Sequence, residues 1–298
     1  MKAGAWFFSI VLVLSVTGSG KLWAADEGPK PFLPQGAQGA SGNIPQQMEG
    51  FNLQGYSDSG EKAWDIKGDK ADISDNKVDV TNVNANNYGD QEDTNLKAKK
   101  GRIDKTTGDV HLQEDVVITT DSGAKMKTDT LDWNRNKNIV KTQDVVTLED
   151  ETMKIKGTGM EAHPGLKTAT LGSDVTADIK SEAKDKRAEN RIQITSDGPM
   201  EADQVKQTAI FHDNVMAIES STDRTLKADL MVVHFDPKTR KIKEIVCTGH
   251  VEIQQGNNIT YSESMVYKTD EQRMILTGKP KLILDAGDKS MADTLDFK

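Results

Sequence analysis

The sequence predicts an all-β protein assembled from repeated two-strand units, and three observations carry that prediction. The first is a strand pattern that returns six times: usually an apolar residue, four positions on usually Val, two further on a small or apolar residue. It reads Leu112/Val116/Ile118, Lys141/Val145/Thr147, Leu171/Val175/Ala177, Phe211/Val215/Ala217, Cys247/Val251/Ile253 and Leu276/Pro280/Leu282, with Lys141 and Pro280 as the departures. The middle positions lie 29, 30, 40, 36 and 29 residues apart. A period near thirty with alternating side chains argues for stacked β-units. The second observation is a companion column in most repeats: Asp129/Leu131/Trp133, Thr158/Met160/Ala162, Asp229/Met231/Val233, Glu263/Met265/Tyr267 and Asp293/Leu295/Phe297. A period of two places each apolar pair on one face with the leading polar residue near its rim. The third is the lack of sustained helical spacing beyond the amino-terminal apolar run and a charged connector near 180–191.

Turn residues separate the strands in order. They are Asn134–Asn138, His163-Pro-Gly165, Asp236-Pro-Lys238, Gly256-Asn-Asn258 and Thr269-Asp-Glu271. Each unit is therefore strand, turn, strand, turn. With 298 residues, 5% aromatics and a mean hydropathy of −0.60, the chain has length for a core but must build it from aliphatic side chains on one face of each strand.

The amino terminus has the layout of an export signal: Lys2, the largely apolar run Phe7–Val16, then small residues at Ala24 and Ala25 before Asp26. Ten residues are too few for a membrane span, which needs about 20, so a signal peptide over 1–24 is expected, with a retained inner-membrane anchor as the alternative. Either way the body lies outside the cytoplasm, in the periplasm. Residues 25–47, rich in Pro and Gly, read as a flexible tether. Two folded modules follow, 48–180 and 192–298, joined by the charged connector 181–191.

Charge and cysteine content remove whole classes of function. The net charge is −9, and segment 1–24 holds two lysines and no acid, which leaves the body at −11 and repels a phosphate backbone. No nucleic-acid partner is expected. Cys247 is the single cysteine, so neither an intrachain disulfide nor a multi-cysteine metal site exists. The five histidines, His111, His163, His212, His234 and His250, are scattered without a convergent third ligand. No Gly-x-Ser-x-Gly elbow occurs, and Gly157-Thr-Gly159 lacks the Gly-Lys-Ser/Thr of a phosphate loop. The sequence therefore predicts no enzyme, no cofactor and no metal.

At these columns the chain resembles the OstA-like family of lipopolysaccharide-transport proteins, in two ways. Residues 48–180 are similar to LptC through Phe51-Asn-Leu-Gln-Gly-Tyr56, Glu61-Lys-Ala-Trp-Asp-Ile-Lys-Gly68, Ala71-Asp-Ile73 and Thr128-Asp-Thr-Leu-Asp-Trp133. Residues 192–298 are similar to LptA through Ile194-Thr-Ser-Asp197, Phe211-His-Asp-Asn-Val215, Ala228-Asp229, Thr248-Gly-His-Val251 and Leu276-Thr-Gly-Lys-Pro280. The resemblance implies twisted, incompletely closed β-jellyrolls that stack edge to edge into an elongated sheet with a groove for acyl chains. It further implies transfer of lipopolysaccharide from an inner-membrane ABC exporter toward an outer-membrane translocon. Joining both module types in one chain departs from the family's usual arrangement, as does a cleavable signal before an LptC-like module.

The columns then nominate the groove. In the first module they are Leu112, Val116, Ile118, Leu131, Trp133, Val145, Leu171 and Val175. In the second they are Phe211, Val215, Met231, Val233, Val251, Ile253, Met265, Tyr267, Leu276 and Leu282. A dry jellyroll core needs the same alternation, so the pattern alone does not separate core from groove. Unclosed sheets also expose strand edges that pair with other chains. Partner docking and head-to-tail self-association at such edges are expected, with Ala292–Lys298 as one candidate strand. A structural or adhesive β-solenoid scaffold is the alternative reading of the repeat.

Overall fold

The computed structural model describes residues 46–57, 60–88, 92–181, 190–220, 224–238 and 241–285. The expected signal peptide, most of the tether, connector residues 182–189 and the Asp293/Leu295/Phe297 column lie outside the described residues. The described residues group into two compact units, 46–151 with 158–170, and 152–157 with 171–285.

In the first unit, β1 (Gln46–Tyr56), β2 (Lys62–Ile73), β3 (Lys77–Asn87), β4 (Thr94–Asp104), β5 (Val110–Thr120), β6 (Lys125–Asn134) and β7 (Ile139–Glu149) pair in chain order, each antiparallel to the last. Next come β8 (Met153–His163), a 3₁₀ turn at Pro164–Leu166, and β9 (Thr168–Ser181). In the second unit, β9 pairs with β10 (Asn190–Ser196), and both β10 and β11 (Met200–Asp203) lie on β12 (Thr208–Glu219). The meander continues through β13 (Arg224–Phe235), β14 (Ile242–Gln255) and β15 (Asn258–Lys268), against which β16 (Arg273–Thr277) and β17 (Lys281–Ile283) lie. The all-β expectation is borne out. The repeat of about thirty residues is one antiparallel hairpin, not a coil of a parallel solenoid. The first described strand, β1, begins at Gln46.

The spacing of the columns has a local cause. In β5, Glu114 and Asp115 both adopt left-handed backbone, φ 62° and 55°. Gln113 pairs with Thr130 and Val116 with Thr128, so two residues of β5 stand against one of β6. The same bulge recurs at Asp213-Asn214 in β12 and Gly249-His250 in β14. The bulge replaces what would be the next inward side chain with a polar pair on the surface, which is why the apolar residues on either side are four apart. Opposite strands answer with one skipped position. In β6 the inward residues are Met126 and Thr128, then Leu131; in β13 they are Ala228, then Met231 and Val233. The skipped residues, Asp129 and Asp229, are the leading acids of the companion columns.

Polar contacts hold this seam. Asn82, left-handed at φ 52°, donates to Asp69 at 2.6 Å, Lys99 pairs with Asp115 at 2.6 Å, and the His250 ring meets Asp229 at 2.8 Å. Asp and Asn tolerate left-handed backbone because their short side chains bond locally. Gly249, at φ 78°, has a second reason to be glycine: a Cβ there would lie 2.2 Å from the Asp229 carboxylate.

β7 corrects the sequence reading. Val145 is 46% exposed and Lys141 is exposed, whereas Val140, Thr142, Val146 and Leu148 are buried. The column runs Thr142/Val146/Leu148, the same spacing one residue later. Two adjacent valines leave the face undecided by hydropathy, and a one-residue slip inverts every side chain. Thr142 occupies the first position because its hydroxyl meets those of Thr128 and Thr130, at 3.4 and 3.5 Å.

Val146→Asp therefore costs more than about 3 kcal/mol, an unpaired charge in a dry site, while Val145→Asp changes stability by about 0.5 kcal/mol or less. Urea denaturation of the two variants reads the difference. Gly249→Ala costs about 1–2 kcal/mol in the same assay, because alanine is strained at that φ.

Candidate lipid-binding face

The inward side chains form rows perpendicular to the strands. In the first unit, Leu53, Ile66, Ala85, Leu96, Ile118, Met126 and Leu148 are successive cross-strand partners from β1 to β7. A second row runs Ala71, Val80, Gly101, Leu112, Leu131, and a third Ile73, Val78, Ile103, Val110, Trp133, Val140. Burial is graded along the first row. Ile118, Met126 and Leu148 are buried, whereas Leu53, Ile66, Ala85 and Leu96 on β1 to β4 are only half-buried.

The second unit repeats the device. Its rows are Ala177, Ile194, Ala217, Leu226, Ile253, Thr260, Leu282; then Met200, Phe211, Met231, Cys247, Met265, Leu276; then Ala202, Ala209, Val233, Ile245, Tyr267, Met274. The middle row is dry from Met200 to Met265, all at 3% exposure or less. Ala217 and Leu226 are half-buried, as are Tyr267, Met274, Leu276 and Leu282 toward the far strands. Cys247 has no exposed surface, and burial pushes its thiol up to about 12, so it serves as a small apolar filler.

The nominated residues therefore divide by exposure. Leu112, Val116, Ile118, Leu131, Leu171, Val175, Phe211, Val215, Met231, Val233, Val251, Ile253 and Met265 are buried. Trp133, Tyr267, Leu276 and Leu282 share the inward face but keep accessible surface, and Val145 faces out. The inward residues of β1 to β4 were not in the nominated set. Their signal was the LptC-like motif itself, whose members have definite tasks. The Phe51 ring lies over Gly68 and the Trp64 indole over Gly55, where a Cβ would approach to 2.6 and 2.0 Å respectively. Trp64 Nε1 is buried without a hydrogen-bond partner.

Asp65, between Trp64 and Ile66, is the one buried carboxylate of the described residues, 1% exposed. Burial opposes its ionisation, but the Lys62 ammonium and hydrogen bonds from Asn86 and Tyr88, both 2.8 Å, outweigh that and hold its pKa at about 2. Lys62 also sits 4.7 Å above the Tyr88 ring. This cluster ties β2 to the end of β3 on the face opposite the apolar rows.

Among the described residues no group of three or more His, Cys, Asp or Glu is placed to hold a metal ion. His111, His163 and His250 are engaged at the surface with Asp132, Glu161 and Asp229. No helix of the described residues is long and apolar enough to cross a membrane.

A meander with continuous aliphatic rows on its inward face defines an all-β protein; in the first unit the outward face carries charge, and in the second it also carries the apolar ladder Ile210, Val232, Val246, Val266 and Ile275. Family comparison makes this specific: residues 9–180 match the lipopolysaccharide-assembly, LptC-related family, and the chain belongs to it. Residues 193–297 match the family described as LptA/(LptD N-terminal domain) LPS transport protein, so the two resemblances hold in the expected order and the chain is a component of lipopolysaccharide transport by family. A crystal structure of LptH, described as the LptA homologous periplasmic component of the conserved lipopolysaccharide transport device from Pseudomonas aeruginosa, aligns with 64% of this chain and 94% of its own, at 12% identity and a TM-score of 0.19. No curated protein matches the chain.

The Asp65 cluster carries an acid signature. Its carboxyl is depressed below the ordinary value of 3.8, so its contribution is complete above about pH 4 and is lost as the pH falls toward 2. Asp65→Asn removes about 2 kcal/mol of the stability difference between about pH 5 and pH 2. Chemical denaturation across that range measures it.

Proposed function

We propose that this protein is a non-enzymatic periplasmic carrier that shelters lipopolysaccharide acyl chains against its inward apolar face during passage from the inner to the outer membrane. The observation that carries this reading is the grading of burial within single rows. Side chains at 5% exposure or less have no surface left for a ligand. Leu53, Ile66, Ala85 and Leu96 in the first unit, and Ala217, Leu226, Tyr267, Leu276 and Leu282 in the second, face the same way and remain accessible. Acyl contact belongs to these half-buried positions and to Trp133, while the buried members of each row form the dry floor behind them.

The energetics suit a lipid held in transit. Each sheltered CH₂ contributes about 0.8 kcal/mol, so a partly covered chain of about a dozen carbons gains on the order of 5–10 kcal/mol. The acidic body opposes anionic head groups, so the apolar face supplies the affinity and sugar and phosphate stay outside. Receipt from an inner-membrane ABC exporter by the LptC-like module, delivery toward an outer-membrane translocon by the LptA-like module, and docking through strand edges complete the reading.

Photo-crosslinking tests it. A benzophenone side chain at Leu96 or Leu226 captures lipopolysaccharide in cells, and the adjacent outward positions Lys97 and Lys227 do not. Equal capture at inward and outward sites, or none at Leu96 and Leu226, contradicts the carrier.

A further inference from the structure

The inward face of the first unit closes differently at its two ends. At one end the last inward pairs of the hairpins are apolar, Ile73 with Val78 and Ile103 with Val110. At the other, one level beyond the row of Leu53, Ile66, Ala85 and Leu96, the successive partners are Trp64, Asn87, Thr94 and Thr120. Position at a strand end does not explain this polar row, because the opposite ends of the same strands stay apolar to their last inward pair.

Its members are not equally engaged. The Thr120 hydroxyl meets that of Ser122 at 2.6 Å and accepts from the Ala124 amide at 3.2 Å. Asn87 and Thr94, both half-buried, make no side-chain hydrogen bond to another described residue. Trp64 lays its ring over Gly55, and its buried Nε1 donor has no acceptor. Three adjacent uncharged groups with unused hydrogen-bonding capacity therefore border an accessible apolar row. Indole, with an apolar body and a polar tip, suits a boundary between hydrocarbon and water. The amide and the hydroxyl each donate and accept. The chemistry that matches is an acyl chain ending in an ester or amide link, whose neutral carbonyl needs a donor once it leaves water. A row without charge does not select a phosphate.

We propose that Trp64, Asn87 and Thr94 form a polar rim that receives the carbonyl link of an acyl chain lying on Leu53, Ile66, Ala85 and Leu96. The carbonyl end is held at this end of the strands and the terminal methyl away from it. The inference rests on the carrier reading and adds to it the direction in which the chain lies. A carbonyl set down among the aliphatic rows instead is desolvated without a partner, and that cost sets the direction.

Paramagnetic broadening in the full chain, read by NMR, tests the rim. The probes are two methyl esters of stearic acid, one carrying a nitroxide beside the ester and the other beside the terminal methyl. Both broaden the Leu53 and Leu96 methyls, and the ester-side probe broadens the Thr94 methyl and the Trp64 indole N–H more than the tail-side probe does. Equal broadening of Thr94 and Trp64 by the two probes, or stronger broadening by the tail-side probe, overturns the rim and leaves the carrier reading standing. Failure of both probes to broaden Leu53 and Leu96 overturns the two together. Asn87→Ala with Thr94→Val weakens binding of the esters by about tenfold, the loss expected of two net hydrogen bonds, and abolishes the difference between the probes at Trp64. Asn87→Gln with Thr94→Ser retains both. Unchanged affinity or an unchanged difference in the alanine and valine variant overturns the proposal.

Discussion

The fold depends on one backbone constraint: at a common level across each unit the strands bend through left-handed residues without losing their inward face. A regular strand running past that level places a polar residue such as Glu114 among the aliphatics. Two consecutive left-handed residues at Glu114-Asp115, Asp213-Asn214 and Gly249-His250 prevent this by spending one extra residue at the surface. Their neighbours compensate by skipping a position at Asp129, Asp229 and Glu263. Four of these six residues, Asp115, Asp213, Asn214 and Gly249, are of the types that accept such backbone at low cost, and Glu114 and His250 are the departures.

From the seam follows the division of labour between the two faces. Row continuity across up to seven strands gives a continuous apolar strip on the inward face, and burial is graded within it. In the first unit the gradient runs along the strand order, from half-buried Leu53 to buried Leu148. In the first unit the opposite face carries charge, including the ladder Asp79, Arg102, His111, Asp132, Lys141. Such exposed pairs contribute little to stability; their effect is to keep that face wet and to fix which side of the sheet turns inward.

Much of the fold was legible because the seam writes itself into the spacing of residues. Leu112, Val116 and Ile118 reveal the bulge through a gap of four, and Leu131 and Trp133 reveal the skipped acid before them. Val145 was misread because Val146 adjoins it and the true first column residue, Thr142, is polar. β1 to β4 were harder still. Their rows pass through Gly68, Ala85 and Gly101, so hydropathy falls where the neighbouring Phe51 and Val83 lean over a glycine. Exposure was not legible at all: Phe211 and Leu276 occupy the same row and hydropathy class, but one is covered by neighbours on both sides and the other has a described neighbour on one side only.

Methyl NMR on the protein loaded with lipopolysaccharide tests the central claim most directly, through nuclear Overhauser contacts between acyl methylenes and assigned side chains. The account predicts contacts to Leu53, Leu96 and Leu226 and none to the outward Val232 and Val246. Contacts to Val232 and Val246, or a saturated complex without contacts to the inward leucines, would contradict it.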